Sequence, residues 1–62
     1  MKEYRITYLI EGIEKIQDTF ARDEKKAVGR IKYIENISDS FVDFAVLKIE
    51  MYHNEKYYNV NF

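Results

Sequence analysis

The sequence has no cysteine, no proline and no tryptophan, and only two glycines and one histidine. Without cysteine there is no disulfide framework and no thiolate metal site, and the chain suits a reducing compartment. The lone His53 stands beside Asn54 and Glu55, which read as turn residues, and the scattered carboxylates show none of the spacings used by zinc or calcium sites. Gly12 and Gly29 are isolated, so there is no glycine-rich phosphate loop. No apolar run approaches the roughly 20 residues that span a bilayer. The opening MKEYRITYLIEG alternates in polarity where a signal peptide is continuously apolar, so a cytoplasmic location is the expectation. Charge of one sign is also missing. Ten basic residues against 11 acidic ones leave a net charge of -1, which argues against a dedicated nucleic-acid binder and equally against an acidic DNA mimic. No pattern joins Ser38, Ser40, Thr7 or Thr19 to His53 as nucleophile and base. The reading is a non-catalytic chain with no cofactor, no metal, no membrane contact and no small-molecule substrate.

What is present is the composition of a packed domain, with 47% hydrophobic residues and no low-complexity run. Residues 1–62 are expected to form a single domain. A chain of this size buries only about 60% of its unfolded surface. Such domains commonly add a staple or associate with a partner or with themselves.

Tyr4, Ile6, Tyr8 and Ile10 recur at every second position, the mark of a half-buried strand, and Ile16, Asp18 and Phe20 open a second alternating run after Glu11-Gly12. A two-residue turn at Glu11-Gly12 would pair Tyr8 with Lys15 and Ile6 with Gln17. A three-residue loop would instead set Tyr8 opposite Ile16 and Tyr4 opposite Phe20 on one face. The second register buries more apolar surface and is the one expected. Next, Asp23 is a helix N-cap, Glu24 suits the first turn, and Asn36 can end the helix in a left-handed conformation. Ala27, Val28, Ile31 and Ile34 define its buried stripe. Ser38-Asp39-Ser40 reads as helix-to-strand punctuation. A third strand then places Ala45, Leu47, Ile49 and Met51 inward. A turn at Asn54-Glu55 pairs Met51 with Tyr58, Ile49 with Val60 and Leu47 with Phe62.

Two hairpins around one helix predict an α+β domain of ββαββ order, a four-stranded sheet with the helix on one face. Placing the first and last strands adjacent at the centre gives the order 2-1-4-3 and a right-handed crossover. In element order and length this resembles the β-grasp fold, particularly the small immunoglobulin-binding domains of streptococcal surface proteins. No binding motif of that family matches residue by residue, so antibody binding is not carried over. The segment TFARDEKKAVGRIKY resembles the strand-to-helix junction of small phage and mobile-element accessory proteins. That resemblance implies a small intracellular protein that binds and inhibits a host or phage factor.

Two surfaces stand out. Turned away from the helix, the last hairpin is expected to present Phe44, Val46, Lys48, Glu50 and Tyr52 beside Tyr57, Asn59 and Asn61, with Leu9 joining them. Tyr52 and Tyr57 become cross-strand neighbours there. The outer helix face carries Gly29 and Tyr33 one turn apart, ringed by Lys25, Lys26, Arg30 and Lys32, a basic patch suited to an acidic partner. The sheet face points to a protein-binding module whose partner is another protein or a second copy of the chain. The alternative is a nucleic-acid binder in which Tyr52, Tyr57 and Phe44 stack bases while Arg5 and Lys48 hold phosphates.

Overall fold

The computed structural model describes residues 1–37 and 42–60. The Ser38-Asp39-Ser40 punctuation, Asn61 and the pairing of Leu47 with Phe62 lie outside the described residues. The elements run β1 (Lys2–Ile10), β2 (Ile13–Ala21), α1 (Glu24–Ile34), β3 (Phe44–His53) and β4 (Lys56–Asn59). All four strands join one antiparallel sheet, and α1 lies over β1 and β2. The α+β class and the ββαββ order therefore stand.

The strand order does not. It is β2-β1-β3-β4, in place of the β-grasp order 2-1-4-3. Antiparallel β3 occupies the central position expected for the last strand, pairing Ile49 with Ile6 and Met51 with Tyr4. The difference follows from length and polarity. β3 has ten residues, with Ile49 and Met51 to cover the centre of β1, whereas β4 has only four and is left at the edge.

The first turn sets its own register. Glu11 and Gly12 both take positive φ, 51° and 78°, the two-residue geometry that matches strand twist. Ile10 pairs with Ile13, Tyr8 with Lys15 and Ile6 with Gln17. The three-residue loop, with Tyr8 opposite Ile16 and Tyr4 opposite Phe20, is therefore replaced by the two-residue turn. Ile16 and Phe20 project from the helix-free face, 61% and 57% exposed. Tyr4, Ile6 and Tyr8 already fill the space beneath Ala27 and Ile31, with Ala21 and Ile49 completing the core. The second turn, Asn54-Glu55, has φ of 50° and 64°, and it aligns Met51 with Tyr58 and Tyr52 with Tyr57 as its pattern requires. The Val60 N–H continues that register by donating to the Ile49 carbonyl at 2.8 Å.

Helix α1 starts where Asp23 Oδ1 accepts the Lys26 N–H at 2.8 Å. It stops at Asn36, whose φ of 58° lets Asn36 and Ile37 donate back to the Tyr33 and Lys32 carbonyls. Within its stripe Ala27 and Ile31 are buried and Val28 is half-buried, but Ile34 is 52% exposed, overhanging the side of the helix near β2. The Tyr8 hydroxyl donates to Glu35, which also pairs with Lys15 at 3.3 Å, so the C-terminal end of the helix is tied to the first hairpin.

One irregularity decides which side chains face which way. The pairing of β1 with β3 slips between Thr7 and Tyr8: Thr7 opposes Lys48 but Tyr8 opposes Val46, leaving Leu47 as the extra residue of a β-bulge. Beyond it the alternation is inverted. Ala45 and Leu47, expected inward, are exposed, Leu47 by 52%. Phe44 and Val46, expected on the helix-free face, pack against the core instead. The Phe44 ring lies 5.6 Å from that of Tyr8, with Lys32 above it.

Candidate functional site

The helix-free face is assembled row by row from four strands. At one end Phe20, Glu3, Tyr52 and Tyr57 lie side by side across β2, β1, β3 and β4. The next row is Asp18, Arg5, Glu50 and Asn59, and the third holds Ile16, Thr7 and Lys48. Leu9 opposes Ala45 at the far end. Leu9 lies six positions along β1 from Glu3, on the order of 20 Å at strand rise.

The Tyr52 and Tyr57 rings meet at 4.9 Å between centroids with a tilt of 59°. The Arg5 guanidinium lies 4.2 Å from the Tyr57 centroid, a cation–π contact, while its Nε donates to Asp18 at 2.8 Å and Nη2 at 3.2 Å. The hydrogen bond to Asp18 holds Arg5 above its ordinary pKa. Desolvation, the Asp18 charge and Glu3, whose carboxylate accepts the phenol proton at 3.5 Å, together raise the Tyr57 pKa. Lys48 sits 3.7 Å from Glu50. Both cations expected to hold phosphates, Arg5 and Lys48, are thus already engaged by carboxylates of their own sheet.

Of the residues singled out from sequence, Tyr52 and Tyr57 come together as a pair, Tyr52 exposed and Tyr57 half-buried. Lys48 lies two rows away, Leu9 lies at the opposite end, and Phe44 and Val46 belong to the other side of the sheet. Arg5, expected to hold phosphates, has another role here, and Phe20 and Ile16 were expected on the opposite face. Arg5 bridges the tyrosines to β2, and Phe20 and Ile16 extend the apolar surface onto that strand. The turn dipeptide Glu11-Gly12, taken literally as a two-residue connection, was the signal that would have placed Phe20 and Ile16 outside.

The basic helix surface forms in part, since Lys32, expected to ring it, lies over Phe44 on the other flank of the helix. Lys25, Lys26, Gly29, Arg30, Tyr33 and Ile34, with Thr19 below, border a shallow groove of about 850 Å³. Tyr33 is 87% exposed, and a Cβ built on Gly29 meets no atom within 4 Å. None of Lys25, Lys26 and Arg30 forms a salt bridge among the described residues. Among those residues no three His, Asp or Glu side chains cluster to hold a metal, and no helix is long and apolar enough to cross a membrane. No protein-family model, no curated protein and no solved structure matches this chain.

Proposed function

We propose that the chain is a non-catalytic protein-binding module that engages a partner protein through the helix-free face of its sheet. The observation that carries this reading is the cluster of Tyr52, Tyr57 and Arg5 on the helix-free face, which no described element covers, flanked by exposed Phe20 and Ile16. Tyrosine and arginine are enriched among the residues that dominate interface energetics, and two rings held by each other and by a guanidinium lose little freedom on contact. The charges around them suit a partner with an apolar centre and a basic rim. Glu3, Glu14, Asp18 and Glu50 outnumber Arg5 and Lys48 on this face, and the same excess of carboxylates disfavours nucleic acid.

The test compares the chain with the double variant Tyr52→Ser, Tyr57→Ser. The wild type is expected to capture a defined protein partner that the variant loses, while far-ultraviolet circular dichroism of the two stays alike. The lost ring pair and cation–π contact account for about 1–2.5 kcal/mol, which leaves the fold standing. Light scattering reports whether that partner is a second copy. Salt-sensitive binding of single-stranded oligonucleotides by a monomer, abolished in the same variant, would make this a base-stacking surface instead.

A further inference from the structure

Strand β2 is an edge of the sheet along all nine of its residues. A two-residue hairpin closes on a hydrogen-bonded pair, here Ile10 with Ile13, and such pairs alternate from there. Glu14, Ile16, Asp18 and Phe20 therefore turn their backbone N–H and C=O groups outward, where no described strand meets them. Of the devices that blunt such an edge, β2 carries charges at Glu14, Lys15 and Asp18 but neither a proline nor a bulge that would stop a strand from pairing. Above this edge, on the helix side, hang Lys26, Arg30, Tyr33 and the half-exposed Ile34, bordering the groove floored by Thr19. Lys32, on the opposite flank of α1, is held over Phe44, which fixes the Lys26–Arg30 flank as the one turned toward β2.

From this juxtaposition we infer that the β2 edge takes an extended acidic segment of a partner protein as a fifth strand, adding antiparallel or parallel main-chain pairing to charge complementarity with Lys26 and Arg30. The face period of a strand defines the segment's chemistry. Side chains on the helix side meet Lys26 and Arg30 and are acidic. The intervening ones lie beside Ile16 and Phe20 and are apolar. A second copy of this chain is a poorer occupant. Two β2 strands paired antiparallel are related by a twofold axis normal to the sheet, so both helices fall on one face with Lys26 and Arg30 of each turned toward the other. This surface shares Ile16 and Phe20 with the face around the tyrosine pair but includes neither Tyr52 nor Tyr57, which lie on β3 and β4.

The probe is a synthetic peptide of about eight residues alternating valine with glutamate, a common strand length, added to the wild-type chain while amide hydrogen exchange is followed residue by residue. Binding is expected to slow exchange at Ile16, Asp18 and Phe20 at least tenfold, with the valine–lysine counterpart at least tenfold weaker. Lys26→Glu with Arg30→Glu should reverse that preference. Ile16→Pro, which removes an outward N–H and no ladder bond, should abolish protection at the edge, and Tyr52→Ser with Tyr57→Ser should change none of it. Because the exchange experiment uses the unaltered chain, a variant that fails to fold does not spoil the test. The inference is overturned if millimolar peptide protects none of the three amides, if both peptides protect them equally, or if they are already protected in a dimer without peptide.

Discussion

Tyr4 and Tyr8 are two positions apart on one strand, both with no exposed surface, and their hydroxyls meet opposite circumstances. The Tyr8 hydroxyl donates to the Glu35 carboxylate, whereas the Tyr4 hydroxyl is buried with no hydrogen-bond partner among the described residues. Changing each to phenylalanine removes one oxygen and keeps the packed ring, so the two variants should move stability in opposite directions. A buried polar group without a partner costs about 1–3 kcal/mol, and Tyr4→Phe relieves it, for an expected gain of about 1 kcal/mol or more. Tyr8→Phe removes a charge-assisted bond. Since Glu35 keeps Lys15 and reaches solvent, the expected loss is about 1–2 kcal/mol, at the lower part of the range for such bonds. For a domain with about 3–9 kcal/mol in hand, either change is large. Each kcal/mol displaces the melting temperature by about 4–8 °C at this size. Thermal unfolding followed by circular dichroism, with urea titration as a second reading, measures both. If the two variants shift in the same direction, or Tyr4→Phe is the more damaging, the assignment of hydroxyl partners is wrong.

The two glycines should also part company. Gly29→Ala places a methyl in open space on an exposed helix position and is expected to stabilise the chain by about 1 kcal/mol, so a destabilised variant in urea titration would mean that another surface presses on the helix there. Gly12→Ala meets no atom either, but its φ of 78° strains any side chain, so a loss of about 1 kcal/mol is expected in the same assay, and no loss would overturn the two-residue turn. The tie between helix and hairpin predicts a stability plateau with two shoulders. The hydrogen bonds to Glu35 from Tyr8 and Lys15 lower its pKa, so its contribution is present above the unfolded carboxyl value and is lost as pH falls through the folded one. Desolvation, then the bond to Glu35, pushes Tyr8 up to about 12, so its contribution is complete below the ordinary phenol value of 10 and is lost as pH rises towards 12. Urea midpoints across pH should fall at both ends, and Tyr8→Phe should shrink the alkaline shoulder; an unchanged shoulder would assign it to other tyrosines.

The parts of the fold legible in the sequence are those where local chemistry and hydrophobic pattern agree. Asp23, Asn36 and the Asn54-Glu55 turn carry backbone instructions in their own side chains and lengths, and each holds. The first hairpin set the two signals against each other. Counting apolar partners favoured Ile16 and Phe20 inside, but two consecutive positive-φ residues close a two-residue turn whose register puts both outside, and Tyr4 and Tyr8 take the inward positions on β1. The bulge was hidden because Phe44, Ala45, Val46 and Leu47 are all apolar, and an unbroken run reads equally well in either phase. Strand order depends on which strand can cover both flanks of β1, a comparison of lengths that turn signals do not make. At the candidate site the tyrosine pair was legible from a symmetric turn. Arg5 was named for that face, but its contacts with Asp18 and Tyr57 were not legible, because they join β2, β1 and β4 across distances in sequence that only the folded sheet closes.

The slip at Leu47 makes β3 two half-strands in opposite phase, one committed to Tyr4 and Ile6, the other to Tyr8 and Ile10. An in-frame loss of the Leu47 codon would therefore not turn the upper half over. With the extra residue gone the ladder would alternate without a break, Lys48 staying outward beside Thr7 and Val46 and Phe44 staying inward beside Tyr8 and Ile10.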